Sequence, residues 1–151
     1  MLHKLNTRPK KKLGQCFLKN QGVLDKIAES CLIDKKDTVL EIGPGHGELT
    51  RRLLSRAGRV VAVELDRVLA EKLREDLGGQ QNLDVVNCDI LKFEINDLLE
   101  ECKLPLKVIG NIPYYITSPI IEHLFGYLDK IESINLTVQK EFARRMVSLP
   151  G

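Results

Sequence analysis

Gly110-Asn111-Ile112-Pro113-Tyr114-Tyr115 puts a side-chain amide, a rigid proline and adjacent aromatic rings into one short segment. The exocyclic amine of a nucleobase is a poor nucleophile because its lone pair is delocalised into the ring. Acceptors aimed at both of its N–H bonds draw the nitrogen toward the tetrahedral geometry that attack requires. The Asn111 side-chain oxygen and the Ile112 carbonyl suit that task, with Pro113 fixing the turn and Tyr114 stacking on the base. With an already activated electrophile no strong general base is needed, and positioning supplies much of the catalysis. Taken alone, Asn-x-Pro is also ordinary turn punctuation and the tyrosines ordinary packing, so the surroundings must decide.

Those surroundings begin with Glu41-Ile42-Gly43-Pro44-Gly45-His46-Gly47, a glycine turn between an apolar run and a helical pattern. Glycines let backbone N–H groups approach a nucleotide-type cofactor closely, and the following helix N-terminus favours a carboxylate or phosphate. About 20 residues further on, Glu64 closes a second apolar run, where an acidic side chain can accept hydrogen bonds from both ribose hydroxyls. A dinucleotide oxidoreductase meets the same spacing. Its G-x-G-x-x-G pattern needs glycine at position 48, however, and this chain has Glu48. The G-x-G-x-G present suits a cofactor without a pyrophosphate. Asp89 follows a third apolar run and can accept from an adenine amino group; its alternative is to cap a short helical turn. His46 occupies a turn position at which no catalytic role is expected.

An alternation of strands and helices would carry these residues to one edge. Strands are expected at 38–42, 59–64, 83–87, 106–109 and 133–138, each rich in Val, Ile or Leu. Helical patterns lie at 22–31, at 47–57 with Gly58 as C-cap, at 67–77 before Gly78-Gly79, from about Pro119, and at 140–148. This βαβα rhythm predicts an α/β fold with a parallel sheet covered on both faces. Open sheets of that kind bind ligands beyond the C-terminal ends of their strands. A fifth strand at the edge with nothing beyond it leads to the expectation that further sequence follows.

At 151 residues, 43% apolar and 29% charged, the chain has enough hydrophobic material for one globular core. It shows neither a spanning apolar run nor a secretory signal, so a cytoplasmic location is expected. Cys16, Cys31, Cys88 and Cys102 lack metal-ligand spacing, and neither a metal site nor a disulfide framework is expected. The net charge of +2 conceals an asymmetry: residues 1–24 carry six Lys or Arg and no acid, leaving 17 basic against 21 acidic residues elsewhere. Such an arm suits a phosphate backbone, although a solvated tail has the same composition.

Together these segments resemble the ribosomal RNA adenine dimethyltransferase family, specifically its small-subunit branch. The resemblance is carried by KKKLGQCFLKN, EIGPGHGELT, VELD, Cys88-Asp89-Ile90, GNIPYYITSPII and VQKEFARRM, and it extends over nearly the whole chain. It implies a Rossmann-like S-adenosylmethionine-dependent methyltransferase fold with strand order 3-2-1-4-5, lacking the last two strands and the C-terminal helical domain. It also implies cofactor contacts at Cys16, Leu18, Gly43, Glu64, Asp89 and Asn111, with Asn111 and Tyr114 catalytic. Residues 1–24 would form a basic arm and cofactor-closing turn, and residues 25–151 an incomplete methyltransferase domain. Most bacterial members carry asparagine where this chain has Cys16, so only the backbone at that position is expected to contribute. The implied reaction is N6,N6-dimethylation of two adjacent adenosines near the 3′ end of small-subunit rRNA, on the immature subunit, by a monomer. Two other readings share parts of the pattern: a large-subunit rRNA methyltransferase of the macrolide-resistance type, and a non-catalytic RNA-binding assembly factor.

Overall fold

A computed structural model describes residues 20–102 and 106–148. In chain order the elements are α1 (Gln21–Ser30), β1 (Thr38–Ile42), α2 (Glu48–Arg56), β2 (Arg59–Glu64), α3 (Arg67–Leu77), β3 (Leu83–Asn87), α4 (Ile95–Glu101), β4 (Leu106–Asn111), α5 (Thr117–Phe125), β5 (Ile131–Thr137) and α6 (Lys140–Val147). Short 3-10 turns at Ile90–Lys92 and Tyr114–Ile116 precede α4 and α5. The strands form one parallel sheet in the order β3-β2-β1-β4-β5, the order that the family resemblance implies. The chain therefore builds outward from β1 in one direction and then returns to its other side with β4. The crevice of a doubly wound sheet lies at that reversal, between β1 and β4.

Strand residues alternate between two apolar clusters. Val39, Val60 and Ile109 face α1 and α2, where they meet Leu24, Ala28, Leu49 and Leu53. Leu40, Ile42, Val61, Val63, Leu106 and Val108 face the opposite side and meet Ile95 and Leu98 of α4 and Ile120 and Leu124 of α5. Burial on both faces explains the nearly continuous apolar runs of the central strands. Asn20 and Asp66 cap α1 and α3, accepting from the backbone N–H of Val23 and Val68. At the sheet's other end the buried Lys107 ammonium donates to Asp37 Oδ2 at 2.7 Å and to the Leu32 carbonyl at 2.6 Å.

Some boundaries differ from the sequence reading. β4 runs through Gly110 and Asn111 because Gly110 pairs with Ile42, and Asn111 with Thr137. β5 begins at Ile131, and Glu132 is an extra residue at a register shift, which brings its Oε1 to 3.4 Å from Lys107 Nζ. α2 ends at Arg56 with Ala57 as its cap, so Gly58 is not a left-handed cap. It is the absence of a side chain that matters there, since a Cβ on Gly58 would lie 2.3 Å from the Lys35 carbonyl oxygen.

Candidate functional site

The glycine turn leaves β1 through three residues with positive φ, Gly43 at 68°, Gly45 at 58° and Gly47 at 77°. Such a path folds the backbone back beneath the α2 N-terminus and is strained for any residue with a Cβ. Gly47 is doubly constrained, because a Cβ there would come 2.5 Å from Cδ1 of Leu73, which is itself buried in α3. Gly47→Ala is thus expected to cost about 2 kcal/mol or more in urea unfolding from left-handed strain plus overpacking. An unchanged midpoint would show that the turn tolerates a side chain.

Glu64, the last residue of β2, anchors this turn. Its Oε2 accepts from the Gly45 N–H at 3.0 Å and its Oε1 from the Asp66 N–H at 2.8 Å. Burial raises the Glu64 carboxyl above the usual carboxylate range, against the stabilising pull of the Asp66 and Gly45 amides. The Leu65 N–H also approaches this carboxyl, and a carboxylate with about four acceptor positions still keeps room for a further donor. The carbonyls of Glu64 and Leu65 are held from β3 by the Asn87 amide, at 2.7 and 3.2 Å.

Asp89 follows β3 and does what the alternative reading expected: its Oδ1 accepts from the Leu91 N–H at 3.0 Å, capping the 3-10 turn. It also faces the cavity, so capping one oxygen orients the side chain there and leaves its Oδ2 as an acceptor. At the end of β4, Asn111 is half-buried and Ile112 is sunk into the core. Pro113 holds the extended conformation with φ −62°, and its carbonyl accepts from the Thr117 hydroxyl at 3.1 Å. The segment is thereby tied at both ends.

Gly43, Glu64, Asp89 and Asn111 converge on one cavity of about 410 Å³ at the C-terminal edge of the sheet. That volume suits a nucleoside-sized ligand. Tyr114 does not line it. Its ring is 61% exposed and meets Tyr115 edge-on, with centroids 6.0 Å apart and planes at 88°, and Tyr115 is the tyrosine on the cavity wall. Cys16 and Leu18 lie outside the described residues.

The cavity also contains residues to which the sequence assigned no role. Gln21, Leu24 and Ile27 of α1 form one wall, and Cys88 lies beside Asp89. Most conspicuous is Glu41, a carboxyl only 1% exposed, with its Oε2 lacking a hydrogen-bond partner. Its signal was present in the sequence as a lone acid inside the apolar run Val39-Leu40-Glu41-Ile42.

An S-adenosylmethionine-type ligand fits these groups: glycines without side chains, a fixed carboxylate for a diol, and a second carboxylate for an amino group. Among the described residues no cluster of His, Cys, Asp and Glu is arranged to hold a metal.

Known proteins resemble this chain in sequence and in fold. The "Ribosomal RNA small subunit methyltransferase A" of Lachnoclostridium phytofermentans is 49% identical over 144 residues, covering 93% of this chain and 50% of that protein. The crystal structure of the 23S rRNA methyltransferase ErmE is 40% identical with a TM-score of 0.76, covering 85% of this chain and 50% of that one. A dimethyladenosine transferase from Plasmodium falciparum is 35% identical, also with a TM-score of 0.76, covering 89% and 47%. The chain spans about half the length of the curated relatives it matches, 50%, 50% and 55% for three of them. The model of the family described as "Ribosomal RNA adenine dimethylase" matches residues 6–151, and the chain belongs to that family.

Proposed function

We propose that the protein transfers methyl groups from S-adenosylmethionine to the N6 amine of two adjacent adenosines near the 3′ end of small-subunit rRNA, acting as a monomer on the immature subunit in the cytoplasm. The observation that carries this reading is the convergence of Gly43, Glu64, Asp89 and Asn111 on one cavity at the β1/β4 reversal. When bound there, the cofactor supplies a methyl group already activated by a positively charged sulfur. Glu64 holds the ribose hydroxyls with its remaining lone pairs, and Asp89 accepts from the adenine amine. The glycine turn provides backbone N–H groups and room for the amino-acid end.

The substrate base approaches from outside, where the exposed Tyr114 ring offers a stacking face. Asn111 and the Ile112 carbonyl hold the amine by its two hydrogens. The basic segment ahead of α1 serves as an arm and closing turn that brings Cys16 and Leu18 to the cofactor; the boundary expected at residue 24 moves back to residue 19, because Asn20 caps α1 and Leu24 packs in the core, so residues 20–24 belong with 25–151 to the methyltransferase domain. No helix among the described residues is long and apolar enough to cross a membrane.

The likeness to ErmE gives a second reading, methylation of large-subunit rRNA. Thr117-Ser118-Pro119 and Val138-Gln139-Lys140-Glu141 favour the small-subunit substrate, as do relatives bearing that name at 41–49% identity. Base-resolved mapping of transferred methyl groups on both subunits distinguishes the readings, and absence of transfer to either would favour a non-catalytic assembly factor.

The cofactor assignment has its own test. Glu64→Ala removes a charged acceptor for two hydroxyls together with the anchor of Gly45. It should weaken S-adenosylmethionine binding by roughly 1.5–3 kcal/mol, read by calorimetry. An unaltered dissociation constant in the folded variant would take Glu64 out of the site.

A further inference from the structure

The α1 wall of the cavity is held to α2 by one guanidinium. Arg52 donates through Nε to Asp25, through Nη2 to Gln21 Oε1 at 2.6 Å and through Nη1 to the Glu48 carbonyl at 2.6 Å. Its side chain is 15% exposed, whereas its ion-pair partner Asp25 is 53% exposed. Gln21 and Glu48 both line the cavity; Asp25 does not. Gln21 and Asp25 lie four residues apart and so share one face of α1. Leu24 and Ala28 also meet Leu49 and Leu53 across the α1–α2 contact, and that packing is apolar and non-directional. The guanidinium therefore adds a directional link between the first turn of α1 and the start of α2, beside the glycine turn.

We propose that Arg52 is a positioning residue for this cavity: by tying Gln21 and Asp25 to the Glu48 carbonyl, it fixes the α1 wall in the place that ligand binding requires, without touching the ligand. The proposal rests on the reading of the cavity as the S-adenosylmethionine site. The planar fork is essential to it, since a lysine ammonium in the same place cannot address three acceptors in one plane. An ion pair with an exposed partner contributes little to global stability, so the consequence of losing Arg52 is local.

The test combines calorimetric titration with S-adenosylmethionine and hydrogen exchange of the ligand-free protein, comparing Arg52→Ala, Arg52→Lys, Gln21→Ala and the Arg52→Ala/Gln21→Ala pair. Arg52→Ala should raise exchange in the α1 segment and weaken binding, each about tenfold, while β1 and β4 stay protected. Arg52→Lys should recover only a small part of the affinity. The double variant should bind no more than about twofold more weakly than Arg52→Ala, because both changes cut the same link. Wild-type affinity in Arg52→Ala would overturn the proposal, as would additive losses in the double variant or equal loss of protection in the strands. If the unaltered protein bound no S-adenosylmethionine, the cofactor reading would fail. The α1 exchange would still decide whether Arg52 pins the wall, with unchanged exchange overturning that too.

Discussion

Asn111→Ala should reduce methyl transfer by the full-length protein roughly 10²- to 10³-fold while changing S-adenosylmethionine affinity by less than about tenfold. The separation follows from where the residue stands. Asn111 ends β4, and its pairing with Thr137 is a backbone matter that alanine preserves. Its side chain is only half-buried, so truncation leaves no core cavity. On the proposed reading, what disappears is an acceptor for the amine, which would matter most as that nitrogen gives up its conjugation with the ring. The Ile112 carbonyl survives the substitution and should sustain a residual rate. Cofactor binding retains Glu64, Asp89 and the glycine turn. The measurement is single-turnover methylation at saturating cofactor beside a calorimetric titration. Near-normal turnover would remove the amine-holding role, and a parallel collapse of affinity would make Asn111 a cofactor residue first.

The parts of this architecture legible in the sequence share a physical cause. β1 and β2 match their expected limits because a parallel strand buried on both faces needs an apolar run, and a glycine or polar residue ends each one, whereas β3, half-buried at the sheet edge, is marked by Val85 and Val86 before Asn87. Gly110 and Asn111 escaped because neither favours strands by itself; pairing of Gly110 with Ile42 and Leu136, and of Asn111 with Thr137, carries them into the sheet. α4 was missed for a similar reason. Its sequence INDLLEE has few apolar positions, no side-chain cap, and buries only Ile95 and Leu98.

In the site, Gly43, Glu64, Asp89 and Asn111 were readable because each lies at the end of a strand or directly after one, where topology alone brings them together. Which of two adjacent tyrosines lines the cavity depends on the 3-10 turn, and spacing does not specify it. Arg52 carried no signal, because its side-chain partners Asp25 and Gln21 lie 27 and 31 residues away on another helix.

Glu41 gives the clearest pH dependence. It lies on the α1/α2 face of β1, 1% exposed, with the fully buried Thr50 hydroxyl facing it and Glu64 nearby. Burial pushes its carboxyl from 4.5 up to about 7; Thr50 moderates the shift, and the Glu64 charge adds to it. The native state thus holds this proton more tightly than the unfolded chain does. The associated stability is fully present below about pH 4.5 and is lost as pH rises through about 7. A difference of that size amounts to about 3 kcal/mol between pH 4.5 and pH 8.

Glu41→Gln mimics the neutral acid and cannot ionise. It should match the wild type near pH 4 and exceed it by about 3 kcal/mol at pH 8, in urea unfolding across the range. The difference between the two proteins isolates this group from every other titration. A constant offset at all pH values would mean that Glu41 titrates alike in the folded and unfolded chain, its unpartnered oxygen being satisfied by water. A gain that grows between about pH 4.5 and about 7 would instead establish a buried neutral acid in the cavity wall, one whose proton is lost at a measurable cost to the fold.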